Sequence, residues 1–141
     1  MISVIVPGYN VQGTLGACLE ALLDQTVPRD RYEIIYVDDA STAGSVEVAR
    51  RYPGVALIRL EANRGQANAR NVGLAQSKGE IILFTDADCV PARDWIEAML
   101  QAFADDRVHE FAHGRVEPHG PAVARQPGRG RHRLSAHEEH A

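Results

Sequence analysis

The stretch Glu80-Ile81-Ile82-Leu83-Phe84-Thr85-Asp86-Ala87-Asp88-Cys89 stays apolar for the length of one strand and then turns abruptly acidic. An apolar run without alternation is how a parallel strand reads when both of its faces are covered. Ile2 to Val6, Glu33 to Val37 and Val55 to Leu60 read the same way, and Glu80 to Thr85 is the last of these runs. Between them the period changes. Leu15, Cys18, Leu19 and Leu22 fall at i, i+3, i+4 and i+7, as do Ile96, Met99, Leu100 and Phe103, so both segments predict amphipathic helices. Ser45 to Tyr52 stops at Pro53-Gly54, and Gln66 to Ser77 stops at Lys78-Gly79, both usual helix ends. Alternating strands and helices predict βαβ units: an α/β fold with a mostly parallel sheet, right-handed crossovers and helices on both faces.

The chain has 141 residues, 45% of them hydrophobic, and a formal charge of −4, which suits one globular domain. That charge supplies no field to gather nucleic acid or an anionic membrane surface, so neither partner is expected. Cys18 and Cys89 lie far apart in no C-x-x-C arrangement, so neither a disulfide framework nor a zinc ribbon is predicted. The N-terminal apolar run is too short for a signal peptide, and no stretch reaches the ~18 apolar residues of a membrane span. A cytoplasmic protein without an intrinsic membrane segment is expected.

Composition shifts near residue 105. All six His lie beyond it, whereas the only Trp and all four Tyr lie before it. From Pro118 onward the sequence has no apolar period and too little apolar surface to offset the entropy of ordering it. Residues 1–117 are expected to form the domain and 118–141 a disordered tail rich in Arg, His, Pro and Gly.

Ligands of open α/β sheets bind beyond the carboxyl ends of the strands. Those ends read Pro7-Gly8-Tyr9-Asn10, Asp38-Asp39-Ala40-Ser41-Thr42, Glu61-Ala62-Asn63-Arg64-Gly65 and Asp86-Ala87-Asp88-Cys89. Asp38, Asp39, Asp86 and Asp88 are therefore expected to converge on one edge. Carboxylates held together repel one another unless a hard cation with oxygen ligands satisfies them, which implies Mg²⁺ or Mn²⁺ shared with a substrate phosphate. Each feature also has a plainer explanation. Asp, Ser and Thr cap helices, a turn tyrosine often only packs, and the glycine of Asn63-Arg64-Gly65 can simply supply a positive φ.

Ser3-Val4-Ile5-Val6-Pro7-Gly8-Tyr9-Asn10, Val37-Asp38-Asp39-Ala40-Ser41-Thr42, Asn63-Arg64-Gly65 with Ala69-Arg70-Asn71, Lys78-Gly79-Glu80 and Asp86-Ala87-Asp88 together resemble the family 2 glycosyltransferases of GT-A fold. The resemblance covers about residues 2 to 105. It implies metal-dependent binding of a nucleotide-diphospho-sugar, UDP-sugar by family habit, and inverting transfer of the sugar to an acceptor hydroxyl on a glycan, lipid or polysaccharide. Carried over by position, Pro7 and Tyr9 border the nucleobase, Asp39 accepts a hydrogen bond from it, and Asp38 supports that loop. Arg64 and Arg70 lie near the diphosphate and Asp86 near the ribose. Asp88 ligates the Mg²⁺ or Mn²⁺, with Asp86 beside it.

The sequence departs from the family at several points. Gly8 stands where Ala is commoner, Val11 where an acid is common, and Ala40 and Ala43 replace a usual Gly and Asp. The family's catalytic base and Gln-x-x-Arg-Trp segment have no counterpart, although Gly114-Arg115-Val116-Glu117 resembles the start of the next strand. The resemblance therefore implies a truncated N-terminal part, incomplete in its C-terminal half. Its exposed sheet edge would favour self-association, and a catalytically inactive nucleotide-binding fragment is the alternative function. A remote alternative is a zinc metalloprotease, because His109-Glu110-Phe111-Ala112-His113 is a formal H-E-x-x-H. That motif needs a packed helix, which Gly114 and Pro118 would interrupt, so chance spacing in a His-rich segment is the expected cause.

Overall fold

The computed structural model describes residues 1–104 and, beyond them, the strands Phe111–His113 and Ala122–Arg125 as backbone. In chain order the elements are β1 (Ile2–Gly8), α1 (Leu15–Leu23), a 3-10 turn (Arg29–Arg31), β2 (Tyr32–Asp38), α2 (Ser45–Arg50), β3 (Val55–Arg59), α3 (Gln66–Gln76), β4 (Ile81–Phe84), α4 (Trp95–Ala104), β5 (Phe111–His113) and β6 (Ala122–Arg125). Every apolar run and every helical period up to residue 104 corresponds to an element of the expected kind.

The six strands form one sheet in the order β3-β2-β1-β4-β6-β5. The first four in that order are mutually parallel, with Val4 of β1 opposite Ile34 of β2 on one side and Leu83 of β4 on the other. From β1 the chain steps outward to β2 and β3, then returns across β1 to lay down β4. With right-handed crossovers, this reversal puts the helix before β4 on the opposite face from the helices before β2 and β3.

The cores follow that division. Val4, Val6, Ile34, Tyr36 and Leu83 face one side, packed under Leu15, Leu19 and Leu22 of α1, Val48 and Ala49 of α2, and Trp95, Ile96 and Met99 of α4. Ile5, Ile35, Val37, Ile82 and Phe84 face the other, against Ala69 of α3. Because both faces are covered, Val4, Ile5 and Val6 are each fully buried, at about 1.5 to 3 kcal/mol per large apolar side chain. Their consecutive burial explains the absence of alternation in the sequence.

One expectation from the C-terminal segment needs correction, and the remote metalloprotease alternative loses its helix. Ala122–Arg125 falls inside the stretch read as a disordered tail, yet it pairs antiparallel with β4 from Ile81↔Arg125 to Phe84↔Ala122. Four residues are enough for such a strand, because an edge supplies an existing row of backbone donors and acceptors, which no apolar period advertises. The β4 edge, expected to be bare and to favour self-association, is thereby covered. In the H-E-x-x-H segment, Phe111–His113 is a strand paired with β6, so this stretch does not continue the helix that a zinc-protease site requires. His109, Glu110, the segment Gly114 to Glu117, and the tail other than Ala122–Arg125 lie outside the described residues.

Helix α3 carries site residues, and its approach to the sheet depends on Gly73. A Cβ there would stand 2.6 Å from Ile5 Cγ2 and 3.1 Å from Val37 Cγ2, inside the core. We expect Gly73→Ala to lose stability, since overpacking of about 1 to 3 kcal/mol exceeds the ~1 kcal/mol gained in helix propensity. Gly13→Ala, with open space around the new methyl and no positive φ to strain it, should raise the urea midpoint slightly, by about 0.4 to 1 kcal/mol of lost unfolded-state freedom.

Candidate functional site

The strand order reverses between β1 and β4, and at such a switch point the loops leave toward opposite faces and open a crevice at the carboxyl ends. A cavity of about 290 Å³ lies there. Pro7, Gly8, Tyr9 and Val11 follow β1, Asp39 follows β2, Gln66 and Ala69 come from α3, and Asp86, Ala87 and Asp88 follow β4; all of them line it. Tyr9, 45% exposed, stands at the wall, where a ring can offer a stacking face.

Asp38 does not line this cavity. It is fully buried and accepts hydrogen bonds from the Tyr36 hydroxyl at 2.7 Å, the Ser41 hydroxyl at 2.6 Å and the Ser41 N–H at 2.9 Å. Three donors to one carboxylate make its burial tolerable. Burial and the bond to Asp38 push the Tyr36 phenol up from its ordinary range, so it stays a donor at neutral pH. The Tyr36 ring also occupies the space beside Gly8, where a Cβ would be 2.7 Å from it, which accounts for Gly at a position where Ala was expected.

Asn10 joins the first two loops. Its backbone N–H donates to Ser41 Oγ at 2.9 Å, and its Oδ1 accepts from the N–H groups of Thr42 at 2.9 Å and Ala43 at 3.1 Å. Asn10 has a φ of 51° and Ala40 a φ of 60°, both in the left-handed region. Asn tolerates this conformation, whereas an L-residue with a plain Cβ pays about 1 to 2 kcal/mol for it. The position where Gly is usual is thus one whose backbone favours Gly.

Asp39, expected to accept a hydrogen bond from a base, lines the cavity and is 3% exposed. Its Oδ1 accepts the Arg64 N–H at 3.0 Å, and its Oδ2 accepts the Gly65 N–H at 2.9 Å. Gly65, with φ 96°, caps α3, so the carboxylate holds the third loop at the helix start while also forming part of the cavity wall. Arg64 meets Asp39 through its backbone, and its side chain is exposed outside the cavity lining.

Asp86 and Asp88 are differently placed. Asp86 is buried, accepts a hydrogen bond on Oδ1 from the amide of Gln66, and lies 3.8 Å from the Arg70 guanidinium. Burial draws the Arg70 pKa down from its usual range, opposed by the Asp86 charge. Asp88 is exposed to the cleft. One oxygen from each carboxylate and Cys89 Sγ all lie within 4.8 Å of one another. Of the four carboxylates expected to converge, only these two belong to a candidate cation group; Asp38 and Asp39 are engaged by protein donors. Burial, followed by the Asp88 and Asp86 charges, pushes the Cys89 thiol up to about 11.

Gln66, Val11, Ala69 and Cys89 were missed in the sequence. The one available signal was position: Gln66 opens α3 directly after Asn63-Arg64-Gly65, and Cys89 directly follows Asp88.

The family model described as "Glycosyl transferase family 2" matches residues 3–134, which extends past residue 105 and includes β5 and β6. The chain is 35% identical over 130 residues to "Glycosyltransferase AglE" of Haloferax volcanii, covering 87% of this chain and 42% of that protein. Among solved structures, S. aureus TarS 1-349 in complex with UDP-GlcNAc superposes with a TM-score of 0.71 at 29% identity, over 78% of this chain and 32% of that one. The mannosyltransferase PcManGT from Pyrobaculum calidifontis, in complex with GDP-Man and Mn²⁺, superposes with a TM-score of 0.69 at 38% identity, over 76% and 33% respectively. The chain thus spans less than half the length of each of these three proteins.

Asp39→Asn should lower the urea midpoint while the melt stays cooperative, because the amide presents an N–H₂ to one of two backbone N–H donors. Loss of a hydrogen bond to a charged group costs about 1.5 to 3 kcal/mol. An unshifted midpoint would show that the two contacts carry no stability. Ala40→Gly should have the opposite sign: relief of left-handed strain, less about 0.4 to 1 kcal/mol of glycine's unfolded-state freedom, leaves a gain of up to about 1.6 kcal/mol on the same measurement.

Proposed function

The chain belongs to glycosyl transferase family 2 and shares its GT-A fold, and from that premise we propose that its crevice binds a nucleotide-diphospho-sugar with Mg²⁺ or Mn²⁺ for inverting transfer of the sugar to an acceptor hydroxyl. One observation carries most of this: the Asp86 and Asp88 carboxylates stand together after β4, on the wall of a cavity that Tyr9 and Asp39 also line. Two hard oxygen donors beside an open cavity suit a cation that keeps waters and shares a substrate's phosphates. The donor set fits the group. Such an ion, when bound, supplies positive charge to the departing nucleoside diphosphate.

The chain's own residues do the rest. Pro7 and Tyr9 border the base, and the loop clamped by Asp39 sets the width of its slot. Asp38 acts through Tyr36 and Ser41, holding the turn from below. Asp86 meets the ribose side with its carboxylate oriented by Gln66 and Arg70, while exposed Asp88 faces the cation. Arg70 and Arg64 add positive charge toward the diphosphate. UDP is the favoured nucleotide, and a glycan, lipid or polysaccharide hydroxyl the acceptor. None of the carboxylates described in the cleft is assigned as the base that takes the acceptor proton. General base catalysis is worth about 10² to 10⁴-fold, so binding and turnover are separable properties of this chain.

Calorimetry with UDP and GDP, each with and without Mn²⁺, checks the proposal. UDP should bind measurably only with the cation, and Asp88→Ala should remove that dependence. Equal affinity in the presence and absence of Mn²⁺ would overturn it. Metal-dependent binding without transfer in a donor-hydrolysis assay would identify the binding-only alternative.

A further inference from the structure

A second concavity lies at the other end of the sheet. Ile2 and Ile81, the first residues of β1 and β4, line it together with Val27 and Leu100, and its volume of about 650 Å³ exceeds that of the cavity at the carboxyl ends. Three exposed carboxylates border this apolar lining, Asp30, Glu80 and Glu97, against the Arg31 guanidinium and the Met1 amine. Glu97 accepts the Thr26 hydroxyl at 2.8 Å, whereas among the described residues no donor meets the carboxylate of Asp30 or Glu80.

The topology delivers the chain to this groove. β6 runs antiparallel to β4 from Phe84↔Ala122 to Ile81↔Arg125, so the chain leaves the sheet beside Ile81, which is itself part of the lining. The next residues are Gln126-Pro127-Gly128-Arg129-Gly130-Arg131-His132-Arg133-Leu134: three arginines at alternate positions, then a leucine, with no acid before Glu138. At about 3.3 to 3.6 Å per residue, Arg129 reaches up to ~13 Å beyond Arg125 and Leu134 up to ~30 Å, enough to cross the groove. A guanidinium fork matches a carboxylate, and a short tether holds the arginines at about millimolar effective concentration, where contacts too weak to join separate molecules still count.

We propose that residues 126–134 of this chain occupy the groove, the arginines against Asp30, Glu80 and Glu97 and Leu134 against the apolar lining, and that this contact latches β6 onto the edge of β4. The inference is independent of the nucleotide assignment. A strand as short as Ala122–Arg125 makes few hydrogen bonds of its own, so an anchor just past its end keeps the β4 edge covered and withheld from a second copy.

A nitroxide on Ser135→Cys in the full chain, read by the broadening of backbone amide resonances, tests this. Cys18 and Cys89 are buried, and mass spectrometry verifies that the label sits at 135. The amides of Val27, Ile81 and Leu100 should broaden, and those of Tyr9 and Asp88 should not. Tethering alone broadens amides near Arg125, so the decisive reading is what disappears with the charges. Broadening at Val27 and Leu100 should be lost at roughly 1 M salt, where the screening length is about 3 Å. It should also be lost in Glu80→Lys with Glu97→Lys, and return when Arg131→Glu and Arg133→Glu are added. The salt reading needs no groove variant, so it decides the matter even if the charge-reversed chain fails to fold. Hydrogen exchange of the Ala122–Arg125 amides should quicken in the charge-reversed chain, and unchanged exchange would overturn the latch. No broadening at Val27 and Leu100, or broadening there indifferent to salt and to charge reversal, would overturn the docking. So would equal broadening of an isotope-enriched, unlabelled chain mixed with the labelled one, which would assign the groove to a second copy's segment.

Discussion

The pairing of β1 with parallel neighbours on both sides governs the rest of the molecule. β1 pairs with β2 from Ile2 to Gly8 and with β4 from Ile2 to Ile5, so it has a neighbour on either side, and its consecutive apolar side chains point alternately to both faces, which helices must therefore cover. Since β2 precedes and β4 follows the excursion to β3, the crossovers lie on opposite faces and their loops part at the carboxyl end of β1. The crevice follows from connectivity before any side chain is considered. Its floor is fixed by β1 and β4, and what varies is the chemistry of the loops that border it.

Those loops are held by carboxylates and amides gripping backbone N–H groups. Asp38 holds its own turn, Asn10 ties the first loop to the second, and Asp39 ties the second to the third. Hydrogen bonds to ionised acceptors are roughly twice as strong as neutral ones, so a few such contacts can fix loops that bury little apolar surface. Asp38 and Asp39 are thereby committed to architecture, while Asp86, held by Gln66 and Arg70, and exposed Asp88 belong to the group that could hold a cation.

The strands beyond residue 104 extend the sheet by another principle. β6 runs antiparallel to β4, and β5 runs antiparallel to β6. Edge pairing of this kind asks little of the sequence, because the hydrogen bonds are made by backbone and short strands suffice. Among the described residues, the large hydrophobic side chains that remain exposed are Met1, Tyr9 and Val90. Among the described residues, no helix is long and apolar enough to cross a membrane.

The sequence by itself determined the four parallel strands, the helices between them and the strand ends at which chemistry gathers. Each of these depends on local period or on residues adjacent in the chain: Val4-Ile5-Val6 reads as a strand wherever it lies, and Asp86-Ala87-Asp88 ends its strand in any context. Only the tertiary structure showed which protein donors meet which acid, because several of them are distant in the chain, such as Arg64 on Asp39 and Gln66 on Asp86. It also decided that Ala122–Arg125 is a strand, since an edge is a property of the sheet and leaves no period in the segment that joins it. It placed Gln66 against Asp86 and Cys89 beside Asp88, contacts that a helix start and a tight turn create in three dimensions. Apolar period is written along the chain, whereas the convergence of polar atoms from different strands exists only once the sheet has set their distances.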